Sequence, residues 1–243
     1  MKKIIGLFLT LALLCSTCLT GLAANYNDDE TNKNSSLKSE FEYVVTNDEL
    51  VKKYLSEQEI NFYRNIIDII EENPNLDSEK IVELILPTIP YQEKAASSIG
   101  ESSGVWNLTD AELLLIAKHP IQALKVNACK DSADLWTDEM YPNWTDGDEG
   151  NAYRHAFWNA MMVSEIGIIL AQEFATAHEN HGYTDAEYRQ IIINGFNGLE
   201  HKQMDLYNNN IGRTKAYPNN GETDVHYKLV NLIRNNSLRI LVK

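Results

Sequence analysis

Apolar residues recur at helical spacing along most of this chain, and that pattern limits the possible folds more than any other feature. In the segment 50–55, four apolar residues at spacings of three and four lie on one face of a helix. Alternation of apolar and polar residues, which would indicate a strand, is best in the four residues 43–46 and extends no further. The sequence therefore predicts an all-α fold, a multi-helix orthogonal bundle preceded by a small N-terminal helical extension.

Helix-start signals organise the second half of the chain. Residues 109–112 and 184–187 both read Thr-Asp-Ala-Glu, the capping box that begins many helices. Long helical segments are predicted over 151–179 and 184–213, and a last helix over 222–242. These segments carry the polar residues considered below.

The first 24 residues have the order of a secretory signal. Lys2 and Lys3 precede an apolar run over 4–14, and small residues ending at Ala24 follow. The run is too short to span a bilayer comfortably. We therefore expect a cleavable signal peptide over 1–24 and a secreted bacterial protein, extracellular or associated with the cell envelope. No stable membrane span is expected after cleavage.

Composition divides the remaining chain into three parts. Residues 25–45 are polar at their start and are predicted to form a flexible linker. An N-terminal helical region is predicted over 46–100. A segment rich in small residues, 95–104, leads into the main helical domain over 104–243, which carries the motifs.

The charge and cysteine content exclude several classes of partner and fold. The chain has 21 Lys and Arg against 35 Asp and Glu, a net charge of −14. A surface this acidic repels the phosphate backbone of nucleic acids, so no nucleic acid partner is expected, and the substrate is expected to be an unknown envelope or extracellular molecule. Only Cys129 remains after signal cleavage, which rules out an intrachain disulfide.

The first polar motif lies in the segment 151–160. On a helix, Asn151, His155 and Asn159 stack on one face at successive i+4 positions, and Arg154 and Trp158 form a neighbouring pair. Apolar residues continue the same face, so these polar groups are expected to be buried. Buried polar groups without hydrogen bonds cost about 1–3 kcal/mol each, which predicts a specific network or site.

The second motif is the pair His178 and Glu179. Adjacent residues of a helix point about 100° apart, so the two side chains reach one point only where the helix ends. Gly182 follows soon afterwards and makes a helix end plausible.

The third motif begins at His201 and ends at Arg213. Asp205, Asn208 and Asn209 share a helix face with His201 and offer several oxygen atoms within one turn. His201 has an alternative interpretation as an ordinary surface residue.

Together the motifs predict a hydrolytic site. In one version His155 is a general base; in another, two imidazoles and two carboxylates hold a divalent metal such as Zn²⁺. Arg154 or Arg213 would stabilise a developing negative charge. The candidate catalytic and metal-binding residues are His155, His178, Glu179 and Asp205, and the candidate supporting residues are Asn151, Arg154, Trp158, Asn159, Asn208, Asn209 and Arg213.

The strings YRHAFWNA, AHE and MDLYNN-x-x-GR, in this order, resemble a family of uncharacterised bacterial domains found in small secreted proteins and at the C-terminal toxin tips of polymorphic surface proteins. The resemblance covers about 106–213 and implies a toxin-like domain without an established reaction. It implies that the family pattern is matched by Arg154, His155, Trp158, Asn159, His178, Glu179, Asp205, Asn208, Asn209, Gly212 and Arg213. His201 lies outside that pattern.

Two other functions fit the same residues. The Arg-His pair after the loop 146–150 resembles bacterial phospholipase A2, and this resemblance implies a metal-free or Ca²⁺-assisted esterase. The chain departs from that pattern in two ways: Ala156 replaces the aspartate after the histidine, and the paired cysteines are missing. Asp205 would then have to orient His155. The third hypothesis is a non-enzymatic module that binds a wall polymer or a protein and uses the polar residues as a structural network.

Overall fold

The computed structural model describes residues 36–89, 108–218 and 220–242. Ten α-helices, a 3-10 turn over Leu86–Thr88, a π-helical turn over Gly212–Ala216 and one two-stranded hairpin account for the regular structure of these ranges, which confirms the all-α prediction. The predicted signal peptide 1–24 and the small-residue boundary 95–104 lie outside the described residues. The helices are α1 Leu37–Asn47, α2 Glu49–Tyr54, α3 Glu57–Glu72, α4 Ser78–Ile85, α5 Asp110–Lys118, α6 Pro120–Met140, α7 Glu149–His178, α8 Asp185–Tyr188, α9 Gly198–Ile211 and α10 Glu222–Arg234.

The N-terminal helices begin earlier than the sequence indicates. Helix α1 occupies the end of the segment predicted as a flexible linker over 25–45, because Ser36 caps the helix and Phe41 is fully buried. One apolar anchor and a cap thus outweigh a polar composition. The first four helices belong to the same compact unit as the main domain. The Tyr63 hydroxyl on α3 donates to the Ala123 carbonyl on α6 over 3.2 Å.

Pro120 begins helix α6. His119 closes α5 and precedes α6, whose first turn accepts proline because its N–H groups have no helical partner. Helix α6 packs along α7. The predicted capping boxes at Thr109 and Thr184 are both formed.

Helix α7 is the central element and positions the first two motifs. The Asp148 side chain caps it by accepting from the Asn151 N–H, and Gly167, with φ of 79°, introduces a kink. Among the described helices, α7 alone is long and apolar enough to cross a membrane by length and composition. Its N-terminal half is buried here as the core of the bundle, in contact with α5, α6, α9 and α10.

The segment 184–213 is not one helical stretch. Helix α8 is one turn long, and a hairpin of β1 Ile192–Ile193 and β2 Phe196–Asn197 separates it from α9. Asn194 and Gly195 adopt positive φ angles of 49° and 85°, which a two-residue hairpin turn requires. The Asn-Gly pair was the sequence signal for this turn, and the helical interpretation overlooked it.

Helix α9 ends in a π-helical turn, Gly212–Ala216, that crosses α7 closely. A Cβ added at Gly212 would lie 2.1 Å from the Ala156 carbonyl oxygen, so only glycine fits. The last helix ends at Arg234, earlier than the predicted 242. The C-terminal segment instead returns to the loop before α7, where the Leu241 N–H donates to the Gly147 carbonyl over 2.8 Å.

Candidate metal centre

Two facing rows of polar side chains form the site. Helix α7 contributes Asn151, His155 and Asn159, and α9 contributes His201, Asp205 and Asn209, each row with the i, i+4 spacing of one helix face. His155 contacts both Asp205 and Asn209, and Asn159 contacts Asn209, so the rows run in the same order. All six side chains are buried. The predicted i+4 stacking of both motifs is therefore present in the structure.

Three titratable side chains converge at the centre of these rows. His155 Nε2 lies 3.4 Å from Asp205 Oδ1, and His155 Nδ1 lies 3.5 Å from Glu179 Oε1. One ligand atom from each residue falls within 4.8 Å of the others, so the group could hold a metal ion. Asp205 Oδ1 is buried and has no hydrogen-bond partner among the described residues. An orphaned carboxylate oxygen beside an imidazole nitrogen is the arrangement that a cation would satisfy.

A chain of hydrogen bonds fixes which His155 nitrogen carries the proton. A guanidinium can only donate, so Arg213 Nη1 makes Asn159 Oδ1 the acceptor and leaves Asn159 Nδ2 to donate to Asn209 Oδ1 over 2.7 Å. His155 Nδ1, 3.2 Å from the same oxygen, must then be protonated. The lone pair of the neutral ring is therefore on Nε2, the atom that faces Asp205.

Asn209 also fixes the position of Glu179. Its Nδ2 donates to Glu179 Oε1 over 3.1 Å, which is consistent with the orientation that the Arg213 contact imposes on the amides. Arg213 was predicted to contact an anion, but its observed polar contact is Asn159. It supports the centre indirectly, as the outer member of the network that orients the His155 ring.

The electrostatics of the three central residues follow from their burial. Burial lowers the pKa of His155 well below its ordinary value, and the positive charges of Arg154 and His178 add to this effect. Burial and the neighbouring Glu179 raise the pKa of Asp205 well above its ordinary value, and burial likewise raises that of Glu179. Without a cation, burial thus disfavours the charged forms of all three residues, and a bound cation would favour the ionised forms of the two acids.

His178 does not join the central group. Helix α7 ends at His178 as predicted, with Glu179 as its C-cap, but the two side chains diverge. His178 Nδ1 lies 2.9 Å from Glu112 Oε1 on α5. Burial opposes a charge on this imidazole, but Glu112 and Glu179 outweigh it and raise the pKa of His178 above its ordinary value. Of the four predicted ligands, the metal-binding group thus contains three.

Arg154 and Trp158 line a small pocket beside the centre. The pocket has a cavity volume of about 10 Å³ and is lined by Lys130, Ala133, Asp134, Arg154, His155, Trp158 and His178. Arg154 Nε donates to Asp134, which also binds Lys130 over 2.8 Å. The Trp158 indole N–H donates to the Val126 carbonyl over 3.2 Å and thereby holds the ring as a wall of the pocket. The pocket reaches His155 and is therefore the opening beside the buried centre.

Asn208 and Asn209 were both predicted to support the site, but Asn208 lies outside it. Its side chain accepts from the Arg239 N–H and donates to the Arg239 carbonyl, both over 2.9 Å. It therefore attaches the C-terminal segment to α9. Asn151 is in the polar row, where its Oδ1 accepts from the Gly147 N–H over 3.2 Å and its Nδ2 has no partner among the described residues.

Two acidic residues near the site were not predicted. Glu112 was interpreted only as a capping-box residue, yet one of its oxygens binds the Thr109 N–H and the other binds His178. Asp146 lies 3.6 Å from His201 and is buried with it, so His201 is not a surface residue. No pattern of neighbouring residues predicts either pairing, because the partners are far apart in the sequence: 66 residues separate Glu112 from His178, and Asp146 lies on a different element from His201.

The esterase hypothesis needs Asp205 to orient His155, and Asp205 Oδ1 lies 3.4 Å from His155 Nε2 without a hydrogen bond among the described residues. The loop 146–150 has other observed contacts. Asp148 accepts from the N–H groups of Thr145 and Asn151, and the Gly147 carbonyl accepts two N–H groups of the C-terminal segment. The loop thus caps α7 and anchors the C-terminus.

The comparisons with known proteins place the chain in a family. A family model described as a domain of unknown function (DUF6973) matches residues 113–237, which include all three motifs and more than half of the chain. No curated protein and no solved structure matches the chain. The chain therefore belongs to the DUF6973 family of uncharacterised domains.

Proposed function

We propose that this chain is a hydrolase that uses a divalent cation, of the Zn²⁺ class, held by His155, Glu179 and Asp205. One observation carries the proposal: these ligand atoms lie within 4.8 Å of one another, and Asp205 Oδ1 is buried without a hydrogen bond. Imidazole and carboxylate donors suit Zn²⁺, and catalytic zinc sites have three protein ligands and an open position.

The surrounding residues support a catalytic role for the cation. When bound, a divalent cation would lower the pKa of a water and polarise the oxygen of a scissile bond. The fixed Nδ1–H tautomer directs His155 Nε2 towards this position, and the hydrogen bond to Asn209 is of the kind that accompanies metal-binding histidines. His178 lines the pocket and has a pKa raised by Glu112 and Glu179, so its protonated form would supply positive charge or a proton to a leaving group.

The pocket limits the part of a substrate that can reach the centre. Its cavity volume of about 10 Å³, room for about one water molecule, is far below the roughly 300–1,000 Å³ of pockets that enclose a whole small molecule. We therefore propose that one group of a larger molecule enters beside Trp158 and approaches His155. An extracellular or envelope polymer, or a lipid, is a substrate of that kind.

We also propose that the protein is exported. The order of Lys2, Lys3, the apolar run 4–14 and the small residues before Asn25 supports signal-directed secretion. The acidic net charge of −14 argues against nucleic acid as the substrate.

The proposal is tested by metal content and its effect on stability. Zinc is measured in purified protein, and the melting temperature is recorded with and without a chelator. We expect bound zinc, and a melting temperature that falls on chelation because ligand binding stabilises the folded state. In His155→Ala both effects should vanish. They should persist in His181→Ala, a control that removes an exposed imidazole.

A structural network is the second candidate, favoured by the continuous hydrogen bonds from Arg213 through Asn159 and Asn209 to Glu179. The two functions differ in the response of metal-free protein to His155→Ala. If His155 is purely structural, metal-free His155→Ala should have a lower melting temperature than the metal-free wild type. A metal centre predicts an unchanged or higher one, since the substitution relieves the buried acid–imidazole contact. Hydrolysis of acyl or phosphoryl ester substrates by the wild type but not by His155→Ala would support the enzyme.

A further inference from the structure

We propose that His201 and Asp146 form a second divalent-cation site of the same chemical class, adjacent to the first and sharing Asp205 with it. This inference rests on the proposed function, because Asp205 is also a ligand of the first site. The observations that carry it are the unpartnered nitrogen of a buried imidazole and the nearby carboxylates.

The hydrogen bond on one side of the His201 ring determines the state of the other. His201 Nε2 lies 3.0 Å from the Ile193 carbonyl oxygen, which can only accept, so Nε2 carries a proton. Nδ1 then presents a lone pair in the neutral ring. This atom is buried and has no hydrogen-bond partner in the part of the chain that the structure describes. A metal-binding histidine has this arrangement, with its other ring N–H donated to a backbone carbonyl.

The position of Asp146 supplies a second ligand. Its Oδ1 lies 3.6 Å from His201 Nδ1, longer than a hydrogen bond. In tetrahedral coordination with bonds of about 2.0–2.2 Å, two ligand atoms are about 3.3–3.6 Å apart. The separation of 3.4 Å between His155 Nε2 and Asp205 Oδ1 is in the same range. Two imidazole–carboxylate pairs of similar separation therefore occur in this region, one between the two rows and one between α9 and the loop before α7.

Asp205 shares a helix face with His201. It is one turn after His201 on α9, so the two side chains emerge from the same face, and its Oδ1 lies 3.4 Å from His155 Nε2 on α7. A carboxylate in that position can bridge two cations, as in hydrolases whose paired metals lie about 3.5–4 Å apart. In such a centre both cations would contact the oxygens of the reacting group.

The surrounding backbone leaves little freedom in this region. Gly147 lies against the His201 ring, where a Cβ would be 2.8 Å from Cε1. The neighbouring Asn151 Nδ2 is a further buried donor without a partner among the described residues. A water bound to the second cation would satisfy it.

Stoichiometry tests the second site. Metal-free full-length protein is loaded with Zn²⁺, and the ions bound per chain are counted by native mass spectrometry and by elemental analysis. The variants are His201→Ala and Asp146→Asn; the latter keeps the shape of the side chain in case the former fails to fold. His181→Ala again controls for surface imidazoles.

We expect two zinc ions in the wild type and in His181→Ala, and one in each site variant. One zinc in the wild type, unchanged by Asp146→Asn, would overturn the second site and leave the first intact. In that case His201 and Asp146 would form a proton-mediated ion pair. No zinc in the wild type would overturn the proposed function and this inference together.

Discussion

The network that orients His155 predicts a specific result for Arg213→Met. Methionine has similar length and fills the space of the arginine stem, but it cannot donate to Asn159 Oδ1. Asn159 Oδ1 then loses its charged donor, and the donation of Asn159 Nδ2 to the His155 carbonyl over 3.0 Å is left to hold the amide. With this weaker hold, the donor to Asn209 Oδ1 is less well defined, and the proton of His155 can occupy either ring nitrogen in a fraction of the molecules.

The expected loss of stability is about 2–3 kcal/mol. A hydrogen bond to a charged group contributes about 1.5–3 kcal/mol, and an unsatisfied buried acceptor costs a similar amount. Part of this loss of stability is offset, because the variant no longer has to bury a charged guanidinium; the cost of that burial is seen in the lowered pKa of Arg213. For a domain of this size, the loss corresponds to a fall of roughly 4–12 °C in melting temperature.

The affinity for zinc distinguishes orientation from simple destabilisation. Loss of a group that orients a metal-binding histidine typically costs about 10–100-fold in affinity, and we expect a loss in that range from competition with a chromophoric chelator. The ¹⁵N shifts of His155 in the metal-free protein should change from one tautomer to a mixture. Arg189→Met, at an exposed position, should leave both unchanged. A zinc affinity within about twofold of the wild type would refute the orienting role, whatever the melting temperature does.

Three further predictions concern packing and pH. Gly212→Ala, whose Cβ would lie 2.1 Å from the Ala156 carbonyl oxygen, should destabilise the fold by about 3 kcal/mol or more in chemical denaturation. The raised pKa of His178 means that its pairing with Glu112 stabilises the fold below pH 6.5 and loses this contribution as the pH rises through the raised value. The lowered pKa of Glu112 makes its own contribution to stability present above pH 4.5 and lost below. Because Glu112→Gln removes the charged partner of His178, this variant should show a smaller fall in melting temperature above pH 6.5 than the wild type. Burial raises the pKa of Asp131 from 3.8 to about 7, so the fold loses stability progressively as the pH rises between these two values; Asp131→Asn should gain most over the wild type above pH 7 and least below pH 4.

The fold class and the polar rows were predictable because both depend on local periodicity. The i+4 spacing of Asn151, His155 and Asn159 determines one face of α7 whatever the tertiary structure, and the capping boxes at Thr109 and Thr184 form with neighbouring residues. Two predictions were wrong because a feature of a longer segment outweighed a local one. The polar composition of 25–45 predicted a linker where α1 forms, and the helical spacing of 184–213 predicted a helix where the Asn-Gly turn of the hairpin forms.

The membership of the site was less predictable because it depends on contacts between distant segments. Adjacent positions in the sequence placed His178 and Glu179 together, but the end of α7 directs them to different partners. Arg213 was predicted to bind an anion because its charge is visible in the sequence, whereas its contact with Asn159 depends on the π-helical turn. Asp146 had no recognisable motif, and the packing of the loop against α9 brings it to His201.

The most direct test of the metal centre is a crystal structure of zinc-loaded protein with diffraction data recorded on both sides of the zinc absorption edge. We expect an anomalous peak about 2.0–2.2 Å from His155 Nε2 and from oxygens of Glu179 and Asp205. The absence of a peak there, with Asp205 instead protonated and hydrogen-bonded to His155, would contradict the metal centre.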